Sequence, residues 1–304
     1  MQRTLRYAIA ALCLIPLFFI KFEITASPFF AEVLDAGHIV VFFIFGWLAF
    51  PKISGGTKRR ILILVLITLI ASFLVEITQE WVGRAFQFQD IVRNYLGLGL
   101  SIALRLYFLT PKKAIKLYAS LALFVFVGLL GFERSTLINL TLGKAYFYFN
   151  MPTLADFTYP FEAANWEGNY ADIEYTEGGL LVKTESSRAF SGAFFRDFPS
   201  DWRQYQKLHL VIKNMQAKPL AITLKITDLQ HEIGLKHYDE RYNGEFTLLP
   251  GMNQFVIELS TIQTAPKLRN LDMEKVQRVE LFLSHVSNCD RFMIKALHLS
   301  PIKG

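Results

Sequence analysis

Eight polar residues stand in or beside long apolar runs, and their spacing limits what they can do. Asp35 and His38 are three apart, Glu76 and Gln79 are three apart, with Glu80 next, and Asp90 and Asn94 are four apart. On a helix each set shares one face. Arg84 follows the second set. An ionisable group costs roughly 2.5–3.5 kcal/mol at the centre of a bilayer, so it turns toward a partner or a cavity. Two readings of Asp35, His38, Glu76, Gln79, Arg84, Asp90 and Asn94 stay open. In one they line an outward-facing polar pocket for a headgroup, a sugar or a proton, where burial would tune His38, Glu76 or Asp90 for acid–base work. In the other they satisfy one another, Glu76 with Arg84 and His38 with Asp35 or Glu76, and lock a helix bundle. Glu80 and Arg84 also suit headgroup water.

A second set lies between Asp228 and Tyr242: His231, Glu232, His237, Tyr238, Asp239 and Arg241. Aromatic faces stack on sugars, while arginine and carboxylates fork onto hydroxyls or acidic groups. The alternative is a solvated hairpin. Trp166 and Trp202 are either sugar platforms or core residues. His231 and His237 are six apart with no cysteine nearby, which is not a zinc spacing, so no metal site is expected.

These residues need elements to hold them. The 304 residues are 52% hydrophobic and 19% charged, with a net charge of +6 and a mean hydropathy of +0.30. That is too apolar for a soluble nucleic-acid binder or a disordered chain. Two cysteines, Cys13 and Cys289, do not make a disulfide scaffold. Residues 1–150 hold 15 Lys and Arg against 7 Asp and Glu, whereas residues 151–304 hold 17 against 19. The first half also holds five apolar stretches: Leu5–Ile20, Phe29–Phe50, Ile61–Ile77, Ile91–Leu109 and Ala114–Phe132. With their flanks, most reach the roughly 20 residues that span a bilayer. Leu5–Ile20 reads as a retained helix, since no cleavage site follows it and four more apolar stretches do.

In a five-helix arrangement with the N-terminus inside, ten basic residues face the cytoplasm: Arg3, Arg6, Lys52, Lys58, Arg59, Arg60, Arg105, Lys112, Lys113 and Lys116. Lys21, Arg84 and Arg93 fall on the other side. This is the positive-inside asymmetry. It puts residues 133–304 outside the cytoplasm, and the three polar helix faces at the same outer end. Asn94-Tyr95-Leu96-Gly97-Leu98-Gly99 adds small residues that would let another helix approach closely.

After an interfacial stretch with Tyr146-Phe147-Tyr148-Phe149 and a linker with Pro152 and Pro160, the pattern changes to period two. Ala221-Ile222-Thr223-Leu224-Lys225-Ile226 and Arg278-Val279-Glu280-Leu281-Phe282-Leu283 are clear examples. Turn signals such as Gly178-Gly179, Asn243-Gly244 and Pro250-Gly251 separate seven or eight such runs. This is the pattern of a β-sandwich or jelly roll.

Asp35-Ala36-Gly37-His38, Glu76-x-x-Gln79, Arg84, Asp90 and Asn94-x-x-Gly97 together resemble the VanZ-like family of small bacterial membrane proteins, over about residues 30–110. The resemblance implies a bacterial membrane protein near cell-envelope chemistry, in a family associated with glycopeptide resistance; it implies no particular reaction. Helix five and the large second half depart from the small stand-alone members. Phe161-Glu162, Trp166, Phe194-x-x-Asp197-Phe198, Asp201-Trp202-x-x-Tyr205-x-x-Leu208 and Asp228 resemble the galactose-binding-like jelly rolls of carbohydrate-binding modules, over about residues 157–301. Some jelly rolls carry calcium, and that resemblance allows it here; no other cofactor is expected.

The expected architecture is multidomain. Residues 1–132 form a five-helix transmembrane bundle, 133–156 an interfacial segment and linker, and 157–304 an all-β jelly-roll sandwich. The expected setting is a bacterial inner membrane, multi-pass, with the N-terminus cytoplasmic and the sandwich periplasmic. The expected partners are membrane lipids and a glycan or lipid-linked glycan, not nucleic acid. No Gly-x-x-x-x-Gly-Lys-Ser/Thr loop, Gly-x-Ser-x-Gly elbow or His-Glu-x-x-His helix is present. A membrane enzyme acting on an amphiphilic envelope substrate and a protein-binding scaffold stand as alternatives.

Overall fold

Proline and glycine punctuate the first half. Pro28 opens helix α1 (Pro28–Ala49) at a first-turn position where its missing N–H costs nothing. Pro51 then tightens the exit into a short 3-10 turn, Phe50–Lys52. Gly55, at φ +107°, turns the chain into α2 (Thr57–Trp81). Helix α3 (Phe88–Leu109) carries Asp90 in its first turn, where the helix dipole favours a carboxylate. Pro111 follows that helix, and α4 (Lys113–Glu133) and α5 (Ser135–Phe149) complete the series. The computed structural model describes residues 27–81, 83, 85–185, 188–286 and 289–301. The first apolar stretch, with Arg3 and Arg6, and Arg84 lie outside the described residues.

Three of these helical stretches, Pro28–Lys52, Thr57–Trp81 and Lys113–Glu133, are long and apolar enough to cross a membrane. Helix α3 is as long as α1 but carries Asp90, Arg93 and Arg105, so its hydropathy is diluted. The expected count of five spanning helices is thus met by three described ones. Helices α1 and α3 approach closely because Gly97 has no side chain: a Cβ there would sit 2.2 Å from the Ile39 carbonyl oxygen. A Cβ at Gly99 would sit 2.1 Å from the Phe126 ring of α4. The small residues of α3 are packing residues, as their type implies.

The chain divides into two compact units, Met1–Leu137 and Ile138–Gly304, with the division inside α5. Phe147 of α5 is fully buried in the core of the second unit, its ring 5.1 Å from that of Phe195. Thr153–Ala155 forms strand β1 and pairs with the last strand. Of the stretch 133–156 read as interfacial segment and linker, residues 133–137 belong to the first unit, and residues from 138 on contribute most of α5 and strand β1 to the second.

The second unit is an antiparallel two-sheet sandwich. Its strands are β2 (Trp166–Asn169), β3 (Ala171–Thr176), β4 (Gly179–Thr184), β5 (Arg188–Phe195), β6 (Tyr205–Asn214), β7 (Leu220–Asp228), β8 (Tyr242–Leu248), β9 (Gly251–Glu258), β10 (Val276–Val286) and β11 (Arg291–Pro301), after β1. One sheet runs β3-β4-β11-β6-β9, with β1 added to β11; the other runs β2-β5-β10-β7-β8. Short helices α6 (Leu229–Ile233) and α7 (Leu259–Gln263) follow β7 and β9. Alternation decides which side chains point inward. Val279, Leu281 and Leu283 of β10 and Ile222, Leu224 and Ile226 of β7 enter the core, together with Trp166, Phe195, Trp202 and Phe292. The intervening residues lie on the outer face.

Candidate functional site

In the helical unit the structure brings Asp35, His38, Asp90 and Asn94 into one linked network. His38 places Nε2 3.3 Å from Asp90 Oδ2 and Nδ1 3.1 Å from Asn94 Oδ1. Asn94 Nδ2 donates to Ser72 Oγ at 2.9 Å. Arg93 is the hub. Its Nη1 donates to Asp35 Oδ2 at 2.9 Å and to Asp90, and its Nε donates to Glu133 Oε1 at 2.6 Å. Arg134 in turn donates to Glu133 and to the Glu32 carbonyl, the latter at 3.0 Å. Glu76 and Gln79 are buried near the end of α2, where Glu76 Oε2 accepts the Gln87 N–H at 2.9 Å.

His38, Glu76, Gln79, Asp90 and Asn94 are each at most 1% exposed. Asp35, Glu32 and Glu133 form the more open rim. Of the seven side chains expected either to line a pocket or to satisfy one another, Asp35, His38, Asp90 and Asn94 are joined in one network with Arg93, and Glu76 accepts a backbone donor. Sequence reasoning missed Arg93, which it placed among the loop cations, along with Glu133 and Arg134. The available signal was that Arg93 stands three residues after Asp90 and so shares its helix face.

In the sandwich, register assembles the outer face of the five-stranded sheet. Glu167 pairs with Phe194, Phe194 with Glu280, Glu280 with Lys225, and Lys225 with Asn243, which makes one row across all five strands. The next row sets Arg278 beside Thr227. Because Ile226 pairs with Tyr242, Arg241 continues that row on the far side of Thr227. Asn169, Phe282 and Phe190 extend the face in the other direction.

The face is polar and recessed. Glu280 is 3% exposed and accepts from Asn169 Nδ2 at 3.0 Å and Lys225 Nζ at 3.0 Å, with Arg278 Nη2 at 3.1 Å. The Arg278 and Arg196 guanidinium carbons stand 3.8 and 4.6 Å from the Phe194 ring centre. Phe190 is 53% exposed, edge-on to Phe282 at 5.5 Å. Burial alone would raise the Glu280 carboxyl, but Arg278 and Lys225 outweigh it and hold the group below the usual carboxylate range. Burial pushes Lys225, Arg278 and Arg241 below their ordinary values, with Glu280 pulling each of them back up in part. Glu232 opposes the effect of burial on the two arginines as well.

The segment after β7 forms one margin of this face. The Asp228 carboxylate caps α6 by accepting the His231 N–H at 2.9 Å; it also accepts the Asp272 N–H and both terminal nitrogens of Arg269. Burial raises the Asp228 carboxyl, and the Arg269 contact and the two backbone donors more than reverse it. Glu232 folds back so that its Oε1 accepts from Thr227 Oγ1 on the sheet at 2.6 Å. Arg241 stacks its guanidinium 5.0 Å from the exposed Tyr238 ring. His237 is exposed, and exposed Asp239 pairs with Lys267 at 2.9 Å. Of the residues expected in this stretch, Tyr238 and Arg241 border the sheet face and His231 lies buried at its margin.

Trp166 and Trp202 are corrected. Trp166 is 3% exposed and stacked on Phe195 at 4.9 Å; Trp202 is fully buried and donates Nε1 to the Pro199 carbonyl at 3.0 Å. A ring with no exposed face cannot carry a sugar. Trp202 underlies a cleft of about 380 Å³ lined by Arg203, Tyr205, Gln206 and Glu258 among others. The charged groups there are already paired, Arg203 with Asp201 and Glu274, and Glu258 with Lys207. Residues that sequence reasoning missed on the sheet face are Asn169, Phe190, Phe194, Arg196, Lys225, Arg278 and Glu280. Their signal was the outward half of the strand alternation. Among the described residues, no group of three or more His, Cys, Asp or Glu is placed to hold a metal ion.

No protein-family model matches the chain, and no curated protein matches it. Among solved structures, PfGH50B is 14% identical with a TM-score of 0.38, covering 46% of this chain and 22% of its own. The agarase AgWH50C is 14% identical with a TM-score of 0.41, covering 50% and 26%. The chain thus spans about a quarter of the length of those two proteins. A family 11 carbohydrate-binding module from Clostridium thermocellum, solved with a beta-1,3-1,4-mixed-linked tetrasaccharide, is 15% identical with a TM-score of 0.38, covering 49% and 94%. Likenesses of this size carry no functional weight, and the reading of the site rests on its own side chains.

Proposed function

We propose that this chain is a membrane-anchored glycan-recognition protein whose sandwich holds saccharide on the outer face of its five-stranded sheet. The observation that carries this is the juxtaposition on that face of recessed hydrogen-bonding side chains, Asn169, Lys225 and Arg278, held by the buried Glu280 carboxylate, with the exposed ring of Phe190. Saccharides present both a polar rim of hydroxyls and an apolar ring face, so a site for them needs both kinds of group. A protein-docking face would be expected to have a more apolar centre.

The helical unit supplies the anchor, through three described helices of spanning length. The excess of Lys and Arg in the expected cytoplasmic segments supports an inside N-terminus and a sandwich on the envelope side. Membrane lipids surround the helices in this reading, and a cell-wall or lipid-linked glycan is the ligand within reach. The acid–base alternative draws no support from His38, Glu76 and Asp90, which are at most 1% exposed. The glycan reading borrows nothing from the VanZ-like resemblance or its link to glycopeptide resistance.

The test is a glycan array probed with the full-length protein in nanodiscs. Binding to at least one glycan class is expected, with loss of about tenfold or more in Phe190→Ala, the magnitude of one well-placed stacking contact. If no class is bound better than by an unrelated membrane protein in the same nanodiscs, the reading fails.

A further inference from the structure

The sheet face carries more positive charge than a neutral sugar requires. Four cations meet there, Arg196, Lys225, Arg241 and Arg278, and three carboxylates, Glu167, Glu232 and Glu280. Within the set, Glu280 forms ion pairs to Lys225 and Arg278. Glu232 has one oxygen engaged by Thr227. Arg241 forms no ion pair among the described residues, and its one close partner is the face of Tyr238.

Several buried polar atoms in this neighbourhood also lack a hydrogen-bond partner: Nε of Arg241, Nε of Arg278, Nδ1 of His231 and Oδ1 of Asn243. Buried polar atoms are normally paired, so a cluster of unpaired ones draws attention to this part of the face. Three of these four residues are able to donate at the atom in question. Register sets Arg278 and Arg241 on either side of Thr227, about 10 Å apart at two strand spacings, with Lys225 in the adjoining row. Thr227 between them is fully buried and engaged by the Glu232 carboxylate, whose charge acts on both arginines, so a ligand's acidic group meets these donors in competition with Glu232.

We infer that this face selects an acidic glycan, one bearing a carboxylate, sulfate or phosphate, with Arg241, Arg278 and Lys225 forming the subsite for the anionic group. The inference rests on the glycan reading above and adds the charge class of the ligand. Arginine forks match the paired oxygens of all three groups, and charge-assisted hydrogen bonds are about twice as strong as neutral ones.

Matched oligosaccharide pairs test this on the full-length protein in nanodiscs of neutral lipid. Oligogalacturonate is compared with its methyl ester, and a sulfated galactan oligosaccharide with its desulfated form. A phosphorylated and an unphosphorylated mannose oligosaccharide make the third pair. At least one acidic member is expected to bind about tenfold or more tighter than its neutral partner, with the ratio shrinking at 0.5 M salt. Which pair shows the larger ratio identifies the anionic group. Arg241→Gln is expected to bring the ratio close to one, and Arg241→Lys to retain part of it. Because Arg241 makes no ion pair, the exchange leaves the Glu280 cluster intact, and unchanged amide exchange in β10 confirms the fold. Equal binding of acidic and neutral members, or a preference that survives Arg241→Gln, overturns the inference while leaving the glycan reading standing. Failure of every saccharide, with or without binding of inorganic sulfate or phosphate, sinks both.

Discussion

Glu280 on β10 and Lys225 on β7 face each other across directly paired register positions, 3.0 Å apart between Oε2 and Nζ, at 4% and 13% side-chain exposure. Their ion pair is thus nearly removed from water on the outer face of a sheet, where charged side chains usually stand solvated. Glu280→Ala would leave Lys225 and Arg278 buried beside each other without a counter-charge. Removing one partner of such a pair costs about 3–5 kcal/mol. A corresponding drop in the denaturant midpoint of the sandwich, followed by amide exchange of β10 peptides in the full-length protein, is expected. The double exchange Glu280→Leu with Lys225→Met is expected to recover much of it. A loss below about 1 kcal/mol in the single variant would mean the face is wetter than the structure shows.

A second prediction concerns acid. His209 and His298 lie opposite each other on β6 and β11, their rings stacked at 4.3 Å. Burial, and then His209, push the His298 imidazole below its ordinary value. Burial does the same to His231. A histidine whose folded value is depressed binds fewer protons folded than unfolded, so its contribution is whole above about pH 6.5 and is lost as the pH falls. Asp228 and Glu280, also depressed, add a further loss below about pH 4. The midpoint of sandwich unfolding is therefore expected to decline between about pH 7 and 5 and again below 4. His298→Asn with His231→Asn should flatten the first decline only. An unchanged first decline in that variant would refute the assignment.

In the helical unit, Arg93 serves three carboxylates, those of Asp35, Asp90 and Glu133. Arg93→Leu would leave them without their shared counter-charge. It is expected to destabilise the bundle by more than about 3 kcal/mol, seen as a lower melting temperature in nanodiscs and reduced accumulation in the membrane. Arg93→Lys keeps the charge but not the fork, and should fall between. His38→Ala should lower stability as well, because it removes a partner from both Asp90 and Asn94. A His38→Ala protein of normal stability would revive a functional reading of that imidazole.

The tryptophans separate structure from recognition. Trp202→Ala removes a fully buried ring and is expected to cost about 3–5 kcal/mol. Phe190→Ala removes a half-exposed ring at little cost to stability. Loss of saccharide binding in Phe190→Ala with an unchanged melting temperature is the expected outcome. Loss of binding only in a stable Trp202→Phe variant would move the site to the cleft above Trp202.

Much of the architecture was legible because it follows from periodicity. The switch from long apolar runs to alternation near residue 160 separates helices from strands, and Arg278-Val279-Glu280-Leu281-Phe282-Leu283 reads as a strand with two unlike faces. Periodicity does not say which strands become neighbours, so the convergence of Asn169, Lys225 and Glu280, 55 to 111 residues apart, was hidden. The same limit hid Arg93, whose partners Asp35 and Glu133 come from other helices. Helix α5 reads in the sequence as an interfacial stretch because its apolar residues serve a core that only the folded sandwich creates, with Phe147 against Phe195. Trp166 and Trp202 drew notice as sugar platforms through residue type alone, and burial decides otherwise.

The central claim is that the outer face of the five-stranded sheet binds a glycan. Its most direct test is amide-exchange footprinting of the full-length protein in nanodiscs, with and without the best-bound oligosaccharide. Protection concentrated in β5, β7 and β10, and at the Tyr238–Arg241 margin, is expected. Protection confined to the Trp202 cleft, or none with any saccharide, would contradict it.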